Sequence, residues 1–545
     1  MKTLTRTIFI LTFIGLIASC NNDFMDRYPP DKINEANYWK TLGDLETYSN
    51  QFYAELSTSG NWQADNMTDN QGPANRNAFI WNEYVIPSTG GGWGKNDWAT
   101  IRSCNFFLTH FQTVEGDAEL INTYVGEVRF FRAWNYYGKV KQFGDVPWID
   151  EELNVDSGEL NIPRTSRNVV VDSIVADLDF AISNLPETSS ENRLTKYAAL
   201  ALKSRICLYE GTWQKYHGLG DFEDLLRKSV EASTEIIDSG NFQIYNTGNP
   251  DEDYYNLFII DELSGNSEAI MIKQYSENLL MSNRVRQLGE SGSGFTKDFA
   301  LTYLSNDGLP IANSTEYQGD NVNDYMQEFE NRDPRMKQSI YTPDQPYHIT
   351  SDGEVQNQEA PQFDNGLCFT GYRIYKQFSP TQRDFEYQRC TLDEFIFRYG
   401  EVLLNYAEAK AELGEIDQSD LDLSVNKLRE RVNMPSMTLD VGFVDPNWPN
   451  WEVPVSDLIN EIRRERRVEL AAEGFRFDDL MRWKAGKLLE GPNSFLGALD
   501  PDTEEYRVLY PGLTRTWDDK LYLYPVPIQE ITLNPNLTQN PGWSE

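Results

Sequence analysis

Apolar residues recur at three- and four-residue steps through four consecutive segments of this chain, and that period restricts it to packed helices. In residues 117–141 the repeating face is Ile121, Tyr124, Val125, Val128, Phe131 and Trp134, and it stops at Phe143-Gly144-Asp145-Val146-Pro147. Residues 168–185 carry Val171, Ile174, Val175, Leu178 and Ile182, closed by Pro186. Residues 195–210 and 222–239 follow. An earlier helix is expected over 37–56, with Tyr38, Leu42, Leu45, Tyr48 and Phe52 in step. Short Gly- and Pro-bearing turns between such segments make each helix an antiparallel neighbour of the last. The expected fold class is mainly α, an array of helical hairpins.

The period is interrupted twice. Residues 60–98 hold Gly, Asn, Pro and the tryptophans Trp62, Trp81, Trp93 and Trp98, without amphipathic order, and read as an irregular loop. Over 241–391 Gly, Asn, Asp, Ser and Gln dominate, with short apolar runs such as Ala269-Ile270-Met271-Ile272. Helices return at 393–413, 420–432 and 456–485, and 521–545 is a Pro-rich coil. We expect a helical region over 37–240 and a second over 241–545, packed as one unit with a long loop-rich insertion.

The N-terminus carries an address. Lys2 and Arg6 precede an apolar run over 8–18, too short for a membrane span of about 20 residues but suited to an export signal. The run ends Ile17-Ala18-Ser19-Cys20, which resembles a bacterial lipoprotein box. Residues 1–19 are then a lipoprotein signal peptide, Cys20 the lipid anchor, and 20–36 a tether. Each buried CH₂ of an acyl chain contributes about 0.8 kcal/mol to membrane attachment. The other cysteines, Cys104, Cys207, Cys368 and Cys390, match no metal-site spacing and read as buried free thiols, with Cys368–Cys390 the one candidate bridge.

Composition excludes more than it identifies. A formal net charge of −37 argues against a nucleic-acid partner, since phosphate binding needs basic patches. Three histidines leave little for imidazole metal or triad chemistry. There is no Gly-x-Ser-x-Gly elbow, His-Glu-x-x-His or phosphate loop. With 85 Asp and Glu a glycosidase carboxylate pair needs consideration, but Glu408 and Glu412 read as solvated surface acids. No enzyme activity is expected. No cofactor is expected either. Structural calcium is the one ion the acidic loops could hold, without an EF-hand loop. The basic run Arg463–Arg467 reads as a charge-laced structural helix, with Glu461–Arg464, Arg466–Glu469, Glu473–Arg476 and Asp478–Arg482 at helical spacing.

Three stretches are specific in combination: Arg398-Tyr399-Gly400-Glu401-Val402-Leu403-Leu404-Asn405-Tyr406-Ala407-Glu408-Ala409, the run from Ile462 through Glu473-Gly474-Phe475-Arg476-Phe477-Asp478 to Leu480, and Leu523-Tyr524-Pro525-Val526-Pro527 followed by residues 534–542. With Asp23-Phe24-Met25-Asp26-Arg27-Tyr28-Pro29, Arg129-Phe130-Phe131-Arg132-Ala133, Gly144-Asp145-Val146-Pro147 and Asp307-Gly308-Leu309-Pro310, the chain resembles the SusD/RagB family of Bacteroidetes outer-membrane nutrient-binding lipoproteins. The resemblance runs from Cys20 to the C-terminus. It implies a SusD-like fold of tetratricopeptide-like hairpins, anchored at the outer membrane and facing the cell exterior. It also implies a noncatalytic receptor that captures oligosaccharides and delivers them to a SusC-like TonB-dependent transporter. A peptide-capturing receptor of the same family is the second reading, and a surface glycoside hydrolase the third.

A sugar ring has an apolar face and a hydroxyl rim, so its binder needs exposed rings beside amide, carboxylate or guanidinium groups. The loop over 60–98 offers Trp62, Asp65, Asn66, Asp69, Asn70, Arg76, Trp81, Trp93 and Trp98. The resemblance adds a segment of the insertion, where Tyr275, Asn278, Arg284, Arg286, Tyr317 and Tyr325 are candidates. No Trp lies between Trp213 and Trp448, so the insertion has no tryptophan platform of its own. Trp134 and Trp483 fall within helix patterns and are expected in the core.

Overall fold

A computed structural model describes residues 38–543 apart from 57–59, 155 and 190, so Cys20, the export segment and all of the tether lie outside the described residues. The long helices are α1 (Leu42–Asn50), α2 (Ala99–His110), α3 (Ala118–Phe143), α4 (Arg167–Asn184), α5 (Lys196–His217), α6 (Glu223–Asp238), α7 (Tyr399–Leu413), α8 (Val425–Arg431), α9 (Asp457–Glu469) and α10 (Arg476–Arg482). Helix α3 packs along α4, α5 along α6, and α7 against α5, α6 and α9, which is the expected hairpin array. Local chemistry sets the ends. The Thr41 and Asp44 side chains form a capping box at α1, and Thr195 accepts from Ala198 N at α5. Left-handed Gly218 and Gly414 close α5 and α7. Among the described residues no helix is long and apolar enough to cross a membrane.

The principal core cluster draws side chains from Trp39 to Trp543, so both halves of the chain share it. The last residues fold back onto the first: Phe79 stacks on Tyr524 at 3.8 Å, and Trp543 lies edge-on to Tyr84 at 6.1 Å. Asn540 Nδ2 donates to the carbonyls of Phe143 and Tyr524. The insertion builds a second core from Trp62, Val285, Phe295, Phe299, Tyr303, Met336 and Tyr372, with Val468 to Ala472 at its inner edge. The sheets among the described residues are two-stranded and antiparallel: β1 (Gln71–Pro73) with β3 (Ser293–Phe295), β2 (Ala269–Lys273) with β6 (Glu394–Arg398), β4 (His348–Ile349) with β5 (Val355–Gln356), and β7 (Leu496–Asp500) with β8 (Glu505–Val508).

Several expectations are corrected. The segment over 393–413 begins as strand β6, and its helix starts only at Tyr399. The segment over 456–485 is two helices, because the chain turns between Glu469 and Arg476 through Ala472 at φ 58° and Gly474 at φ 85°. A Cβ on Gly474 would sit 3.0 Å from the Asn61 carbonyl, so the turn also needs the missing side chain. Glu408 and Glu412 are buried, not solvated. Glu408 takes both guanidinium nitrogens of Arg482 at 2.6 and 2.7 Å and the Trp483 indole at 2.7 Å. Glu412 receives Tyr216, Lys215 and Arg463. Of the expected pairs along the basic run, Glu461–Arg464 forms at 3.1 Å. Arg466 instead reaches Asp479, and Arg476 reaches Asp69. The helix is structural, but its charges are buried and pair between elements. Cys104, Cys207, Cys368 and Cys390 are buried free thiols, as the sequence suggests.

Buried ion pairs clamp helix to helix. Arg132 of α3 grips Asp177 of α4 through two bonds of 2.7 Å, Arg167 of α4 grips Glu210 of α5, and Arg205 of α5 grips Glu401 of α7. At the centre Glu469 of α9 receives Arg431 at 2.7 Å, Arg398 at 2.9 Å and Arg335 at 3.1 Å. Removing one partner of such a group leaves buried charge uncompensated, at about 3–5 kcal/mol. Glu469→Gln is therefore expected to lower the urea unfolding free energy by about that amount.

Burial pushes the Glu408 carboxyl up, but the Arg482 guanidinium and its hydrogen bonds, with Arg466 and Arg463, outweigh it and hold the group at about 2. A carboxyl held below its ordinary value of 4.5 contributes stability that is present above that pH and lost as pH falls toward about 2. Denaturation midpoints measured down this range are expected to fall, and Glu408→Gln should flatten the fall.

Candidate functional site

The tryptophan-rich loop divides into two parts with different roles. Its first part joins the insertion. Residues Asn61–Met67 form a 3₁₀ turn that seats Trp62 in the second core, only 2% exposed, beside Phe295 and Phe299. Asp65 is buried and accepts from Ala472 N at 2.9 Å and Asn70 Nδ2 at 3.2 Å. Burial pushes its carboxyl up to about 6 against those bonds and the Arg476 charge. Asn66 accepts from the Ser293 hydroxyl. Asp69 is buried between Arg476 and Arg467, and Asn70 accepts from Arg467 at 2.7 Å. The second part lies on α3: Lys139 Nζ donates to Gly92 O and Gln142 Nε2 to Gly91 O. There Trp93, 5% exposed, packs edge-on to Phe143 at 4.7 Å and to Trp98 at 5.6 Å.

A stacking platform must present a ring face to solvent. Trp62, Trp81 and Trp93 are buried and present none in this conformation, which corrects the reading of the loop as a single aromatic surface. Trp98 is half-buried under Lys139, on the α3 side. Tyr275 lies elsewhere again, in a pocket of about 460 Å³ with Asp261, Glu277, Arg383 and Arg389, its hydroxyl 3.3 Å from Glu394.

What the structure assembles is a broad face where β1, the 361–372 segment and the β7–β8 hairpin converge. Strands β1 and β3 pair with Gln71 opposite Phe295 and Pro73 opposite Ser293. Thr370 passes between this ladder and the hairpin. A Cβ on Gly294 would lie 2.2 Å from Thr370 Oγ1, and one on Gly497 2.1 Å from Thr370 O, so both approaches require glycine. Ala498 N then donates to Thr370 O at 2.8 Å. On this frame Trp81 stands edge-on to Tyr510 at 5.2 Å and to Phe495 at 5.8 Å. Arg76 is exposed and lays its guanidinium 4.6 Å from the Trp81 ring centre, held by Glu83 at 2.9 Å. Tyr510 donates to Pro73 O at 2.7 Å and neighbours Phe369 at 5.7 Å. Burial pushes the Tyr510 hydroxyl up to about 12, against Arg515 and Arg76. Arg507 lies 5.6 Å over Phe363, and its Nε has no hydrogen-bond partner among the described residues.

One end of the face is fixed by Asp320. The hydroxyls of Tyr317 and Tyr506 and the ammonium of Lys297 all donate to it. Lys297 also reaches Glu328 at 2.7 Å, which accepts Tyr372. Burial raises the Asp320 carboxyl, but Lys297 and these hydrogen bonds win, so it stays ionised below the usual range. The half-buried rings of Tyr317, Phe363, Phe369, Tyr506 and Tyr510 thus sit beside guanidinium, carboxylate and backbone groups. That combination suits a ligand with apolar faces and a hydroxyl rim. Of the residues chosen from sequence, Arg76 and Tyr317 belong to it, and Trp81 lies buried beneath Arg76 as its support. Phe363, Phe369, Tyr506, Arg507 and Tyr510 were missed; the β-favouring run Tyr506-Arg507-Val508-Leu509-Tyr510, which places Tyr506 and Tyr510 on one strand face, is the signal that finds those two. No group of three or more His, Cys, Asp or Glu among the described residues is arranged to hold a metal ion.

Residues 239–543 match the family model described as the SusD family, and residues 23–208 one described as starch-binding associating with outer membrane. The chain belongs to the SusD family. It is similar to SusD-like protein P2 of Formosa agariphila, 26% identical over 99% of both chains. Among solved structures it is similar to a SusD-like protein from Bacteroides fragilis, 26% identical with a TM-score of 0.75, covering 95% of this chain and all of that one. A SusD-like carbohydrate-binding protein from the same organism has a TM-score of 0.70 at 23% identity, covering 92% of this chain and all of that one.

Asp320→Asn removes the charge that two hydroxyls and Lys297 share. Hydrogen bonds to a charged group are worth about 1.5–3 kcal/mol. Amide exchange over 314–325 is therefore expected to quicken by about tenfold or more, read by mass spectrometry.

Proposed function

We propose that this protein is a noncatalytic, lipid-anchored receptor that captures oligosaccharides on the face around Trp81, Tyr510 and Phe369 and hands them to a SusC-like TonB-dependent transporter. The observation that carries the reading is the open face itself, where half-buried rings alternate with Arg76, Arg507 and the Asp320 cluster. A polymer too long for any pocket must lie across a surface, and such a face accepts it without enclosing its ends. Membership in the SusD family, with a matched model described as starch-binding and associating with outer membrane, supports both the ligand class and the location. Acylation at Cys20 would hold the receptor beside its transporter, where tethering raises effective concentration and modest affinity is enough. Release into the pore requires that affinity to stay modest.

Native affinity electrophoresis of residues 21–545 through gels containing starch, laminarin or xyloglucan tests the reading. Retardation by at least one polysaccharide, with the ligand recovered intact, is the expected result. Arg76→Ala combined with Phe369→Ala should weaken it about tenfold, a loss of about 1.4 kcal/mol. Cleavage of the ligand would instead favour a hydrolase.

A further inference from the structure

A concavity with aromatic lining lies outside this face. It is a groove of about 870 Å³ between the 445–452 loop, helix α9 and the 487–493 turn. None of its lining residues belongs to the face around Trp81 and Tyr510. We propose that this groove is a second ligand site that takes a neutral oligosaccharide, with Trp448 and Trp451 as its ring surfaces. The proposal rests on the reading that the protein handles glycans and adds a site to it.

Both indoles are half-buried and fixed at their edges: Trp448 Nε1 donates to Glu461 Oε1 at 2.7 Å, and Trp451 Nε1 to Asn460 Oδ1. Trp451 is braced further by Trp483, edge-on at 5.7 Å, and by the Arg463 guanidinium at 4.6 Å. Rings held this way lose little entropy when a ligand stacks on them. Beside them the carboxamides of Asn447, Asn450 and Asn493 have no hydrogen-bond partner among the described residues, and each offers donor and acceptor together. A sugar hydroxyl is also both, so the pairing is reciprocal.

Charge selects the ligand further. Every cation lining the groove already has a carboxylate: Arg463 has Glu412, Arg464 has Asp445, Arg467 has Asp298, Arg476 has Asp69 and Lys487 has Glu452. An anionic ligand would have to break one of these pairs, and a cationic one finds every lining carboxylate but the exposed Glu490, which accepts only from Trp517 N, already paired with a guanidinium or ammonium group. A neutral, hydroxyl-rich molecule meets neither obstacle. The volume lies within the range of sites that enclose drug-sized ligands, enough for more than one sugar ring.

The test uses residues 21–545 with maltoheptaose, laminarihexaose and a xyloglucan heptasaccharide as probes, by isothermal titration, in two backgrounds: unaltered, and Arg76→Ala/Phe369→Ala. Trp448→Ala is the first variant, and Asn450→Ala, at an exposed carboxamide, is the second should the tryptophan change shift the urea midpoint. The expected result is that at least one probe still binds when the face is disabled, and that Trp448→Ala or Asn450→Ala then weakens it by about tenfold. Binding abolished by the face variant alone overturns the second site while leaving the glycan reading intact. Binding unaffected by both groove variants in the disabled background also overturns it. No binding of any probe to the unaltered protein removes both readings together.

Discussion

The fold depends on carboxylates that have been taken out of water and given to arginine. Glu469 joins Arg335 of the insertion, Arg398 at the end of β6 and Arg431 of α8 at one point, and Glu473 extends the cluster through Arg398 to the buried Lys376. Burial pushes the Lys376 ammonium down to about 8, although Glu473 and Glu469 favour its charge. Such a lattice is a poor source of net stability compared with an apolar core, because each ion loses its hydration first. Its value lies in geometry. A guanidinium fork donates to a carboxylate in few orientations, so three segments far apart in sequence are brought to one register around α9.

The same lattice determines where the acid surplus resides. Clamps such as Arg132–Asp177, Arg167–Glu210 and Arg482–Glu408 neutralise charge in pairs inside, so the net −37 of the chain is carried mainly by exposed carboxylates. The protein therefore presents an anionic exterior, and rings beside guanidinium groups interrupt it at the two faces proposed above to receive a ligand. Around Trp81 that interruption is made by Arg76 and Arg507, and around Trp448 by arginines already paired.

The helical array was legible because its signal is local: a period in apolar residues and glycines at the ends suffice for α3 to α7. What was not legible was long-range. Glu408 and Glu412 look like solvated acids until Arg482, Arg463 and Tyr216 arrive from other segments. The Gly474 turn is visible as a glycine, but its necessity comes from the Asn61 carbonyl facing it. The aromatic loop misled for a related reason. Tryptophan in an irregular segment is compatible with exposure and with core packing alike. The choice for Trp62 and Trp93 was made by Phe295 and Phe143, more than 200 and about 50 residues away. Arg76 and Tyr317 were identifiable because polar groups and rings in loops already point to a surface, whereas Tyr506 and Tyr510 needed strand alternation to be sought within a helical chain.

The return of the C-terminal segment onto the helical core has a consequence for how the chain matures. Phe79 and Tyr84 obtain their partners, Tyr524 and Trp543, only after nearly the whole polypeptide has emerged. Arg164, at the start of the α3–α4 side, likewise waits for Thr538 and Asn540. A chain synthesised from its N-terminus therefore holds an unfinished apolar surface until its last residues are made, and non-local pairing of this kind closes slowly. The first half can gain helices early, but it cannot seal. A late closing step, in which the C-terminal segment seals the helical core, is what this topology requires.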